Sequence, residues 1–158
     1  MKKSLAFVLS VMAFAWQTAY AAVPMLDAYS KVQMGLATDE YEAAQSAAAD
    51  LVRLGNDWLA AADRSDPLRP HVVLMVSGAT AVHAATEPQD LRTEFKNLSK
   101  GAVEFIKATP ALWADWQLVR CPMTPGYQLW AQRHSERLVM NPYYGTEMQQ
   151  CGRKLPWA

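Results

Sequence analysis

This sequence has almost no cysteine. Two in 158 residues exclude a disulfide scaffold, which needs several bridges to stand in for a core. They leave room for one bridge or one thiolate site. There is no excess of charge: 15 basic residues face 15 acidic ones. No basic stripe is interleaved with aromatics, so nucleic acid is not an expected partner. Beyond the N-terminal segment no apolar run approaches the ~20 residues of a membrane span. The short enzyme signatures G-x-S-x-G, P-loop, H-E-x-x-H, C-x-x-C and C-x-x-C-H are also missing. His134-Ser135-Glu136 are mere sequence neighbours, whereas catalytic triads are assembled in space. The expectation is a protein that is not an enzyme.

The N-terminus points to export. Lys2 and Lys3 precede an apolar run from Leu5 to Trp16, and Ala19-Tyr20-Ala21 is a small-x-small cleavage signature. The pattern predicts a signal peptide over 1–21, too short and wrongly flanked for a membrane anchor. The exported chain, 22–158, is then a single domain of about 137 residues, periplasmic and not inserted in the membrane. Losing Lys2 and Lys3 leaves 13 of the 15 basic residues against 15 acidic ones, a net charge of −2.

Alanine-rich, helical patterning runs to about residue 110. The spacing predicts helices over Met25–Ala37, from a Thr38 or Asp39 cap to about Ala62, over Leu68–Ala85, and from a Thr86-Glu87-Pro88-Gln89 capping box to about Lys107. Pro70 sits in a first turn, where proline is tolerated, and Gly78 weakens its helix by roughly 1 kcal/mol relative to Ala. Short connections favour antiparallel neighbours, hence a mainly α fold built on an antiparallel four-helix bundle. The tail, 111–158, is rich in Trp, Tyr, Pro and Gly. It reads as short strands near Trp116–Arg120 and Tyr127–Ala131, an extended piece over Leu138–Met140, and one helical turn over Thr146–Gln150 packed with the rest on the bundle.

The chemistry concentrates in that tail. The residue before a proline is pushed towards extended backbone, so Cys121 and Met123 are expected on one side of an extended stretch. Met148 and Cys151, three apart, are expected to share a face of a helical turn. Two thiolates and two thioethers make a soft donor set, suited to Cu(I) or Ag(I). Zinc fits less well, since thioethers are not its usual ligands. His83, near a helix C-terminus, is a further candidate ligand, with a hydrogen-bonded histidine or a charge at the helix end as the plainer roles. The two cysteines could equally close a disulfide around a loop of about thirty residues, adding on the order of 3–4 kcal/mol. Asn141-Pro142-Tyr143-Tyr144-Gly145 reads as a tight turn with an aromatic lid.

Taken together, Cys121-Pro122-Met123, Trp130, and Asn141-Pro142-Tyr143-Tyr144-Gly145 with Met148 and Cys151-Gly152 resemble the signature of an exported domain family of unknown function. That domain occurs alone and fused to the periplasmic adaptor (membrane-fusion) proteins of copper and silver efflux systems. His83, Leu91-Arg92, Phe95 and Leu98-Ser99 resemble the helix that precedes the tail in that family, so the likeness spans about Met25 to Gly152. Many members are richer in glycine and serine around the tryptophan than Gly126-Tyr127-Gln128-Leu129-Trp130-Ala131-Gln132. The resemblance implies heavy-metal handling and an efflux adaptor as partner, and it implies no reaction.

Two readings follow. In the first, Cys121, Met123, Met148 and Cys151, with His83 in reserve, hold Cu(I) or Ag(I) for sequestration or delivery. In the second, Cys121 and Cys151 form a disulfide in an interaction module without metal, and the six aromatic residues from Trp113 to Tyr144 offer a surface for a protein partner. Redox work on the cysteine pair is a third, disfavoured by the absence of C-x-x-C.

Overall fold

The computed structural model describes residues 22–157; the expected signal peptide lies outside them. Four helices come first: α1 (Val23–Ala37), α2 (Tyr41–Ala61), α3 (Arg69–Ala84) and α4 (Pro88–Lys107). A 3-10 turn at Pro110–Leu112 leads to strands β1 (Trp116–Arg120), β2 (Leu129–Arg133) and β3 (Arg153–Leu155). The sheet is antiparallel in the order β2-β1-β3, with Leu118 opposite Ala131 on one side and Leu155 on the other. The fold is mainly helical, with this small sheet at its C-terminal end. Among the described residues no helix is long and apolar enough to cross a membrane.

Periodicity and proline placement account for the helices. In α4 the buried Leu91, Phe95, Leu98, Ala102 and Phe105 recur at steps of three and four, while Thr93, Asn97 and Lys100 face solvent. Proline stands in the first turn of α1, α3 and α4, where a missing N–H costs nothing. The expected caps are not used. Neither Glu40, at the N-cap of α2, nor Glu87, at that of α4, makes a side-chain capping bond. Asp39 has stronger partners elsewhere, described below.

Two glycines let α3 and α4 come into backbone contact. A Cβ on Gly78 would collide with the Leu98 backbone, and one on Gly101 would lie 2.7 Å from the Met75 amide nitrogen. The propensity that Gly78 gives up thus permits close packing.

A line of polar groups joins the sheet to the helices. The Ala131 amide donates to the Tyr29 hydroxyl (3.1 Å), and Ser99 Oγ donates to the Leu129 carbonyl (2.9 Å). Tyr29 and Ser99 are 3.2 Å apart, so by elimination Tyr29 donates to Ser99. Tyr29 also stacks on Phe95, with ring centroids 5.8 Å apart. The Trp157 indole donates to the Trp116 carbonyl (2.7 Å) and fixes the chain end. Of the six aromatics from Trp113 to Tyr144, Trp116, Trp130 and Tyr143 are buried and Trp113, Tyr127 and Tyr144 half-buried. They serve mainly as core.

The expected extended piece Leu138–Met140 is not a strand. The Gln132 side chain takes both its Leu138 carbonyl (2.7 Å) and its Met140 amide (3.1 Å). The free edge of β1 is filled by β3 instead.

Gly78→Ala tests the close approach. Overpacking should exceed the gain in helix propensity and destabilise by about 2 kcal/mol in urea denaturation. A stabilised variant would mean that α3 and α4 stand further apart.

Candidate functional site

Two turns bring the cysteines together. Cys121 directly follows β1, and its amide donates to the Gln128 carbonyl (3.1 Å). The Thr124 amide returns to the Cys121 carbonyl (3.3 Å), closing a turn over Cys121–Thr124. Pro122 occupies the second position of that turn, which suits its fixed φ. The extended Cys121–Met123 geometry expected from sequence is therefore wrong, and Met123 projects outward, 62% exposed. The loop is braced by the Gln128 side-chain amide, which donates to the carbonyls of Thr124 (2.8 Å) and Pro122 (3.1 Å).

The second turn also differs from expectation. Its 3-10 segment covers only Gly145–Glu147, and the Cys151 amide then donates to the Met148 carbonyl (2.9 Å). Met148 and Cys151 bracket a separate turn and do not share a helical face. The fully buried Asn141 holds this turn: its Nδ2 donates to the Cys151 carbonyl (2.7 Å), and its Oδ1 accepts from the Tyr143 amide (2.8 Å). Behind it, a Cβ on Gly152 would lie 2.8 Å from the Trp130 ring.

The two sulfurs are 2.7 Å apart. Cys121 is fully buried and Cys151 half-buried. Burial opposes a thiolate at Cys121, but hydrogen bonds from Cys151, the Thr124 hydroxyl, the Met123 amide and Asn141 outweigh it and hold that thiol below its ordinary pKa. The buried Thr124 hydroxyl has no partner at ordinary hydrogen-bond geometry among the described residues, so its proton is free to turn towards the sulfur. Cys151 is pushed up to about 11, first by its hydrogen bond to Cys121, then by burial and by the neighbouring negative charge. Of the two thiols, the inner one is the easier to ionise and the outer one the harder.

Met123 and Met148 stand on the same two turns as the cysteines. His83 does not join them. It is exposed at the end of α3, with Nδ1 3.2 Å from the Gln45 carbonyl, while the Gln45 side chain donates to the carbonyls of His83 (3.2 Å) and Ala85 (2.7 Å). This arrangement splices α2 to α3. Among the described residues no three His, Cys, Asp or Glu side chains gather as a metal cage would require; Cys121, Cys151 and His83 would have made such a group.

Arg92, named from the sequence only within the resemblance, takes a structural role that sequence reasoning did not assign. It is buried in α4, pairs with Asp39, and donates to the carbonyls of Leu36 (2.8 Å) and Pro142 (2.5 Å) and to the Tyr41 hydroxyl (3.0 Å). Asp39 adopts φ 61° to meet it and also accepts from the Thr146 amide (3.2 Å) and hydroxyl. Gly145, at φ 56°, passes so close to Asp39 and Arg92 that a Cβ would overlap both. A signal was present: Arg92, Phe95 and Ser99 share one helical face, and a charge within an apolar stripe demands a partner. Beside this node a cleft of about 360 Å³ is bounded by Asp39, Glu87, Arg92, Tyr144 and Glu147.

Comparison with protein-family models, curated proteins and solved structures returns no match to this chain.

Asp39 gives the fold an acid dependence. Burial resists its ionisation, but hydrogen bonds from Thr146 and Tyr41 and the Arg92 charge prevail and hold its carboxyl below the usual carboxylate value. A depressed folded pKa stabilises above the unfolded value, and that contribution is lost on acidification towards the folded one. Urea midpoints should therefore fall as pH drops below about 4, and Asp39→Asn should flatten that fall. A variant with the wild-type acid slope would assign the effect elsewhere.

Proposed function

We propose that this chain is an exported, periplasmic binder of a soft monovalent metal, Cu(I) first and Ag(I) second, which sequesters the ion or passes it to an efflux adaptor. The supporting observation is the juxtaposition of Cys121 and Cys151, thirty residues apart in sequence, on two turns that each also carry a methionine. The ligands are Cys121 and Cys151 as thiolates, with Met123 and Met148 as thioethers; this donor set favours Cu(I) over harder ions. His83, engaged at the α2–α3 junction, has no part in it. We take the four helices as an antiparallel bundle that serves as the platform for the sulfur-bearing tail.

The proton arrangement fits binding. The surroundings of Cys121 ease its ionisation, and the metal displaces the Cys151 proton, which leaves to solvent. Uptake therefore releases a proton and tightens with rising pH. Exposed Met123 is the sulfur nearest solvent and offers the first contact, with the buried Cys121 as the terminal ligand. Transfer to a partner then runs by ligand exchange in reverse. Nothing in this sequence of events calls for bond-making catalysis.

The same close sulfurs favour a second reading, a disulfide-stapled interaction module without metal. With most tail aromatics committed to the core, its docking surface is the polar cleft beside Arg92 and Tyr144 rather than an aromatic patch.

A thiol count and a copper titration separate the two. Purified without reductant, then reduced and titrated anaerobically with Cu(I) against a competing chelator, the protein should bind one ion. Cys121→Ser should lower its affinity by more than roughly 100-fold, since even second-shell losses cost 10–100-fold. Unchanged affinity in that variant would sink the metal reading. No free thiols as purified, and no uptake after reduction, would establish the module.

A further inference from the structure

We propose that Cys151 is a thiol–disulfide exchange site for small-molecule disulfides and that Cys121 is the sulfur that resolves the mixed disulfide. The argument begins with access. Cys121 is 0% exposed, directly after β1 and beneath the turn closed by Thr124. Cys151 is half-buried on the Met148–Cys151 turn, so of the two cysteines it is the one that solvent reaches. The two sulfurs are already in contact, and these are the only cysteines in the chain. A group attached to Cys151 therefore has one thiol beside it.

The chemistry then runs in two steps. Cys151 gives up its proton and attacks one sulfur of R–S–S–R. The R–S–S–R bond breaks, a Cys151–S–S–R bond forms, and R–S⁻ leaves and takes up the proton. The Cys121 thiolate next attacks the Cys151 sulfur, the mixed disulfide breaks, the Cys121–Cys151 bond forms, and a second R–S⁻ departs. The dithiol is oxidised by two electrons and the small disulfide is reduced to two thiol equivalents.

The division of roles follows from position. Capture requires an incoming disulfide to reach a half-buried residue, so it is slow. The resolving sulfur already touches the captured one, so resolution is intramolecular and fast. The mixed disulfide should not accumulate. Closure removes both thiolates, and on the metal reading, on which this consequence alone rests, oxidation discharges the ion.

Metal-free, reduced protein mixed with excess oxidised glutathione at pH 8, followed by intact mass, tests the assignment without reference to copper. The wild type should pass to a species two hydrogens lighter with no visible adduct. Cys121→Ser should stop at a single glutathione adduct. Folded Cys151→Ser should react at least ~10-fold more slowly than Cys121→Ser because its thiol is shielded, and the two should react alike in denaturant. Limiting alkylation of the folded wild type, mapped on peptides, gives the same order without a variant: Cys151 should be labelled first. Adduct formation in folded Cys151→Ser as fast as in Cys121→Ser, an adduct that builds up in the wild type, or first labelling at Cys121 would each overturn the proposal. Copper uptake enters none of these readings, so their failure would leave the metal assignment standing, and the reverse.

Discussion

A buried guanidinium organises this molecule. Arg92 sits within the apolar face of α4, where an uncompensated charge would cost on the order of 3–5 kcal/mol. Its compensation comes from two places distant in sequence: the α1–α2 turn, through Asp39, Tyr41 and the Leu36 carbonyl, and the tail, through the Pro142 carbonyl. That requirement fixes where the Asn141–Gly145 turn lies on the helices. Asn141 then holds the Cys151 carbonyl, so the position of one sulfur traces back through three residues to a charge in α4. The other sulfur is placed independently, by β1 and its pairing with β2. The site exists because the two constraints converge.

Convergence also explains the chemical difference between the cysteines. Cys121 is enclosed and Cys151 faces partly outward, and the inner thiol is the easier of the two to ionise. A buried thiolate is a poor nucleophile towards a bulky protein disulfide, since the disulfide cannot reach it, yet it is a good terminal ligand for a bare ion. Exposed Met123 and half-buried Met148 extend the sulfur set towards solvent. The proposed metal capture and the proposed small-disulfide capture would thus share one entrance and compete for the same two atoms.

Much of this was legible in the sequence. The helices follow from apolar spacing and from prolines placed where a first turn tolerates them, and β1 falls on the expected residues. The cysteine pair stood out by scarcity alone. Local geometry was harder, because one residue can satisfy two rules. Pro122 restricts the cysteine before it, but it also fits the second position of a turn, and the turn prevailed. Asp39 is a good capping residue, but a buried arginine is the stronger partner. β3 is three residues long and borrows its identity from the free edge of β1, which no local pattern reveals. His83 had the right chemistry in the wrong place, since its position relative to the tail is set by the packing of α3, not by its own neighbours. Arg92 was visible as a charge in an apolar stripe, and what it would hold depended on a tail fifty residues away.

The central claim is that the tail forms an all-sulfur site for a soft ion. Copper K-edge absorption of the reduced chain loaded with one Cu(I) tests it most directly. The account predicts a first shell of sulfur alone at about 2.3 Å, the range of metal–thiolate bonds, with no nitrogen or oxygen scatterer. A shell dominated by nitrogen or oxygen, or a reduced chain with both thiols free that retains no copper, would contradict it.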